Sequence, residues 1–165
     1  MARPVNSWPA YFALIIALAL EIVPLPQSIQ FMRPPFLAMT LIYWVMMWPQ
    51  RIGLGTAFLF GIAIDILHGQ LLGQNALAFT LVAFLTLHFH LQIRIFPLWQ
   101  LTMTVFALLT IDALISFFVD GIAGSIPAGF SQWGRVFIGT LFWPLLMAIL
   151  DRKRMRAESR PSQFD

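Results

Sequence analysis

Three observations place this 165-residue chain among polytopic helical membrane proteins. It is 59% hydrophobic and 10% charged with a mean hydropathy of +0.81, whereas soluble domains are about half apolar and about a quarter charged. Its apolar residues form long runs broken by proline, glycine or charge, without the strict alternation over about ten residues that a β-barrel needs. Spans of about 20 residues, roughly six of them, would also consume most of the chain and leave no length for a separate water-soluble domain. The predicted fold class is all-α: a membrane helical bundle of about six transmembrane helices over residues 1–150, followed by a basic tail at 151–165. The absence of cysteine excludes a disulfide-stapled module and a zinc-thiolate site, and the apolar excess excludes a soluble enzyme or a disordered chain.

The first predicted span, 8–23, follows a single cation, Arg3, and ends at Pro24-Leu25-Pro26. Ala17-Leu18-Ala19 imitates a cleavage site, but so weak a positive leader favours an uncleaved anchor. The second span, 35–48, follows Arg33-Pro34-Pro35 and is the short one. It reaches only about 21 Å across a core of about 30 Å. A re-entrant segment with an external N-terminus balances the charges equally well, and local thinning of the bilayer supports the six-span reading. The third span, 53–68, follows Pro49-Gln50-Arg51 and closes at His68-Gly69. The fourth, 74–91, stops before Arg94 and Pro97, and the fifth, 98–119, before the stretch from Asp120 to Gly129. The sixth, 133–150, contains Trp143-Pro144, where proline removes the donor for the Thr140 carbonyl and predicts a packing kink at Pro144 rather than a hinge.

Charge orients the spans. With the N-terminus inside, Arg3, Arg51, Arg94, Arg152, Lys153, Arg154, Arg156 and Arg160 lie on the cytoplasmic side, and only Arg33 and Arg135 lie outside. Trp8, Trp48 and Trp99 then fall at inner boundaries and Trp133 at an outer one, where amphipathic rings sit best. The net charge of +3 and pI of about 10.2 come largely from the tail, which faces an anionic membrane surface rather than nucleic acid. Its run from Asp151 to Arg156 reads as solvated charge.

Two constellations carry the site prediction. Glu21, Asp65 and Asp112 each lie 13 residues into an outward-running span, counted from Trp8, Ile52 and Trp99. That spacing places all three about 20 Å from the inner boundary. A buried carboxylate there must be paired, protonated or wet, and Arg33 and Arg135 are the available cations. The layer reads either as structural pairing or as a polar pocket that includes His68. The second constellation is Gly53, Ala57, Gly61, Asp65, Gly69 and Gly73, a small-residue stripe on the third span, fit for helix packing or for docking another membrane helix. His88 and His90 point about 200° apart on a helix and make no metal site.

Hydrolase, metalloprotease and phosphate-loop signatures are missing, and Ser116 with His68 is a poor serine–histidine pair. No enzyme, cofactor or metal is expected. The runs Phe31-Met32-Arg33-Pro34, Tyr43-Trp44, Pro49-Gln50-Arg51, Gly61-x-x-x-Asp65-x-x-x-Gly69-x-x-x-Gly73, Leu98-Trp99-Gln100 and Trp143-Pro144-Leu145 together resemble the rod shape-determining MreD family, in its proteobacterial form, along nearly the whole chain. The resemblance implies an inner-membrane component of the complex that elongates the rod-shaped cell wall. It implies work with MreC, the actin-like MreB, RodZ, the glycosyltransferase RodA and its transpeptidase, without known catalysis. It also implies helices arranged in a way similar to substrate-capture subunits of vitamin transporters. A scaffold that docks partner helices is the leading expectation; a small-solute binder or proton-coupled carrier using Glu21, Asp65 and Asp112 is the alternative.

Overall fold

A computed structural model describes residues 8–24, 26, 33–124 and 130–158, all helix, turn or short connection. Arg3, Phe31, Met32 and Arg160 lie outside the described residues, as does the rest of the tail beyond Glu158. Six helices follow in order: α1 (Trp8–Ile22), α2 (Phe36–Met47), α3 (Leu54–His68), α4 (Gln74–Ile93), α5 (Leu98–Ile122) and α6 (Phe130–Glu158). Among the described residues, three segments are long and apolar enough to cross a membrane: Gln74–Ile93, Leu98–Ile122 and Gln132–Met155. The helices α1, α2 and α3 are shorter and apolar.

The helix ends follow the punctuation in the sequence. Gly69 closes α3 in the left-handed conformation at φ 63°, and the Gln70 amide returns to the Asp65 carbonyl at 3.0 Å, a glycine-terminated last turn. Gly73, at φ 103°, opens α4. Proline supplies the first residue before α5, where Pro97 accepts from the amides of Gln100 and Leu101.

The short helix α2 forms the centre of the bundle. Every residue from Leu37 to Met46 is buried. A helix apolar on all sides is stable only when surrounded, and here α4, α1, α6 and α5 pack around it. Its 12 residues give only about 18 Å of rise, but helices rather than lipid cover it. Tyr43 and Trp44 meet edge to face with centroids 5.2 Å apart, and Trp44 tilts against Trp48 at 4.7 Å.

The outer surface is apolar. Phe12, Leu59, Phe84, Met103, Phe118 and Leu141 are all exposed, on five different helices, far more apolar side chain than a water-facing surface carries. Such a surface suits hydrocarbon.

At its end, α6 departs from the expected solvated tail. The helix continues through the basic run to Glu158, and Asp151 and Arg154 are half-buried rather than solvated. The Tyr43 hydroxyl donates to Asp151, and Arg154 donates to the Met47 sulfur at 2.7 Å. Helical periodicity is the cause: positions 151 and 154 share the face that already packs on α2. α6 passes through Pro144 as one continuous helix, with Trp143 fully buried beside it.

Candidate functional site

The charged groups of the interior gather where α1 and α3 end and α2 and α4 begin. Glu21, in the last turn of α1, is 4% exposed. Its Oε1 accepts from Arg135 of α6 at 2.7 Å, and its Oε2 accepts the Leu37 amide at 2.9 Å. Leu37 is the second residue of α2, whose preceding Pro35 offers no side-chain cap. Glu21 therefore supplies from another helix the acceptor that an N-terminus requires, and the helix dipole favours its negative charge.

Asp65 does the same for α4. Fully buried in the last turn of α3, it accepts the Gly73 amide at 2.9 Å, the Asn75 amide at 3.0 Å and the Asn75 side-chain amide at 2.8 Å. The Ala76 amide approaches at 3.4 Å. The turn through Gly69 and Gly73 folds the start of α4 back over the carboxylate, so a buried charge is met by backbone dipoles rather than by a cation.

Two side-chain donors close the α1 end. Arg33 donates to the Leu20 carbonyl, and His68 Nε2 lies 3.3 Å from the Glu21 carbonyl oxygen, which places the imidazole proton on that nitrogen. Both donors thus serve the last turn of α1, where the dipole is negative. Burial lowers the Arg33 guanidinium from its ordinary value, against the pull of Glu21, and an arginine remains charged under any such shift.

Asp112 differs from the other two carboxylates. Its Oδ1 is sealed from solvent and has no hydrogen-bond partner among the described residues. It lines a cavity of about 40 Å³ together with Glu21, Asn75, Ser116, Gln132 and Arg135. That volume suits a few water molecules and is far below the roughly 300 Å³ of the smallest typical small-molecule sites. Asn75 touches Asp65 and also lines this cavity, so it links all three carboxylates.

A family profile for the rod shape-determining protein MreD matches residues 3–153. The chain belongs to the MreD family. A curated relative, the rod shape-determining protein MreD of Haemophilus influenzae, is 28% identical over 147 residues, covering 87% of this chain and 89% of the relative. No solved structure matches, so the similarity to vitamin-transporter subunits stands on resemblance alone. As an MreD the chain is a rod-shape determinant and a membrane protein, and the family is structural in character.

The small-residue stripe divides into parts. Ala57, Gly61 and Asp65 are buried and face inward. A Cβ at Gly61 would stand 2.3 Å from the Ala76 Cα, so α3 and α4 cross there in backbone contact. Gly53 caps the start of α3, and Gly69 and Gly73 form the turn to α4, all three with open space around them. The middle of the stripe is used for internal packing.

The paired serine and histidine are not brought together. Ser116 donates to the Asp112 carbonyl of its own helix at 3.1 Å, while His68 serves α1. His88 stacks on Phe84, and no group of three metal-ligating side chains occurs among the described residues. Three participants were missed in the sequence. Gln74 donates to Asp120 at 2.9 Å and to the Ser116 carbonyl at 3.3 Å, and Asn75 bonds Asp65. Gly139 brings α6 against Pro35 and Leu109, where a Cβ would stand 2.8 Å from the proline ring. The usable signal for the first pair was Gln74-Asn75 opening an otherwise apolar helix.

Proposed function

We propose that this protein is a non-enzymatic scaffold of the cell-elongation complex, seated in the inner membrane with both termini cytoplasmic. The observation that carries this reading is the family match along residues 3–153, joined to a site whose charges tie helices to one another. Such a bundle presents a constant outer surface to partner helices. MreC is the first partner, with MreB, RodZ, RodA and the elongation transpeptidase as further members, and peptidoglycan synthesis as the process regulated. The docking face falls on the outer flank of α3, where Gly55 stands in open space and Leu59 and Ile66 are exposed. Gly61 is already occupied by α4.

Depletion is expected to round the cells, and MreC is expected to co-purify from membranes. Gly55→Leu should weaken that capture without lowering yield. Rods that survive depletion, or capture unchanged by the variant, would count against the reading. Reporters fused at the N-terminus and after Arg51 test the orientation.

A second reading, a proton-coupled carrier, is favoured by one observation, the unpartnered Asp112 oxygen on the cavity. Glu21 and Asp65 are already engaged as helix caps, so the reading narrows to water or protons moving past Asp112. Liposomes carrying the protein should then show proton flux that Asp112→Asn abolishes.

A further inference from the structure

A groove of about 270 Å³ runs along the bundle between α1 and α6, floored by Phe36 and Thr40 of α2. Its walls are apolar: Ala13 and Ala17 on α1 keep it open, and Leu146 and Ile149 line the other side. One end lies at Leu20 and Phe142, near the Glu21–Arg135 pair; the other ends at Lys153, its sole charged lining residue. Asp151 and Arg154 are engaged with Tyr43 and Met47, whereas Lys153 is exposed and makes no ion pair among the described residues. A cation thus stands free at the mouth of an apolar channel.

Length and charge point to the occupant. From Phe142 to Lys153 the helix rises about 17 Å, close to the roughly 15 Å of one leaflet and half of what a spanning helix requires. Apolar walls that end at a single lysine match an acyl chain beneath an anionic headgroup, with the chain on the side chains of α1, α2 and α6 and the headgroup on Lys153.

We propose that the groove holds one acyl chain of an anionic glycerophospholipid from the leaflet on the basic side, with its phosphate on Lys153. The proposal rests on the membrane reading above and is independent of the shape phenotype, which the depletion experiment reads separately. The bound chain closes the seam between α1 and α6 over α2, and the headgroup places an anion beside Lys153.

Native mass spectrometry on the delipidated full-length protein, titrated with dioleoyl phosphatidylglycerol or dioleoyl phosphatidylcholine, tests it. Wild type should retain one anionic lipid about five-fold more tightly than the zwitterionic one, a ratio equivalent to about 1 kcal/mol. Lys153→Gln should remove that preference, and Arg152→Gln, an exposed cation outside the groove, should leave it intact. Ala17→Phe should weaken both lipids equally by filling the channel; if it fails to fold, the lysine comparison still decides. Equal retention of the two lipids by wild type overturns the proposal, as does an Arg152→Gln effect as large as that of Lys153→Gln. A photo-crosslinker at Ile149 in whole membranes should add the mass of a lipid, and a protein-sized adduct would overturn it.

Discussion

Arg135 of α6 donates to Glu21 of α1 at 2.7 Å, and the same carboxylate accepts the first free amide of α2 at 2.9 Å. One side chain therefore joins three helices that are distant in sequence. Removing Arg135 leaves a charge buried at 4% exposure with only a backbone donor. Breaking a buried pair costs about 3–5 kcal/mol, and Arg135 is 38% exposed, so about 2 kcal/mol is expected for Arg135→Met. The double variant Glu21→Gln with Arg135→Met should recover most of that loss, because glutamine still accepts the Leu37 amide. Thermal unfolding of the purified protein in detergent reads both; a double variant no better than the single would contradict the pairing.

Asp65 is expected to act as a helix cap rather than as a relay. Asp65→Ala should cost about 1–3 kcal/mol by stranding the amides of Gly73 and Asn75, and Asp65→Asn should cost less, since its carbonyl still accepts. Hydrogen exchange locates the effect. The amides at the start of α4 should exchange faster in the alanine variant while those of α5 stay unchanged.

The same two carboxylates mark how far the sequence could be read. A charge in hydrocarbon needs a partner, so the carboxylates pointed to Arg33 and Arg135 from chemistry alone, and the fold gives Arg135 to Glu21. Asp65 found no cation, because the α3–α4 turn delivers backbone amides that lie 8 to 11 residues later, and only the folded hairpin brings them near. Helix existence was legible in the apolar runs, and most boundaries in the prolines and glycines. Composition could not reveal that the 12-residue α2 is the buried centre, since every helix here is apolar and burial depends on which neighbours surround it. The basic run after Leu150 misled for a related reason: charge suggested solvent, while helical phase turned Asp151 and Arg154 onto α2.

Glycines divide by what their missing Cβ would meet. Gly61→Ala must push apart backbones already in contact, and about 1–3 kcal/mol of destabilisation is expected. Gly139→Ala meets a proline ring and a leucine methyl, of which the leucine can move, so its cost should be smaller. Gly55→Ala stands in open space on a helix and should stabilise by roughly 0.5–1 kcal/mol. The order of melting temperatures across the three variants is the measurement, and Gly61→Ala melting above Gly55→Ala would contradict the crossing of α3 on α4.

Asp112 separates stability from function. Its Oδ1 is buried without a donor among the described residues, and stranding a carboxyl oxygen in that way costs about 1–3 kcal/mol of desolvation. Asp112→Asn keeps the shape and removes the titratable carboxyl, while Arg135 keeps its pairing with Glu21. Thermal stability is therefore expected to rise by about 1 kcal/mol, opposite in sign to the changes expected at Glu21 and Asp65. A natural protein keeps a destabilising group where the group has a use. The variant is accordingly expected to fold better yet restore rod shape less well in depleted cells, with melting temperature and cell width measured on the same strain. A variant that melts lower than wild type would place Asp112 beside Glu21 and Asp65 as a structural tie instead.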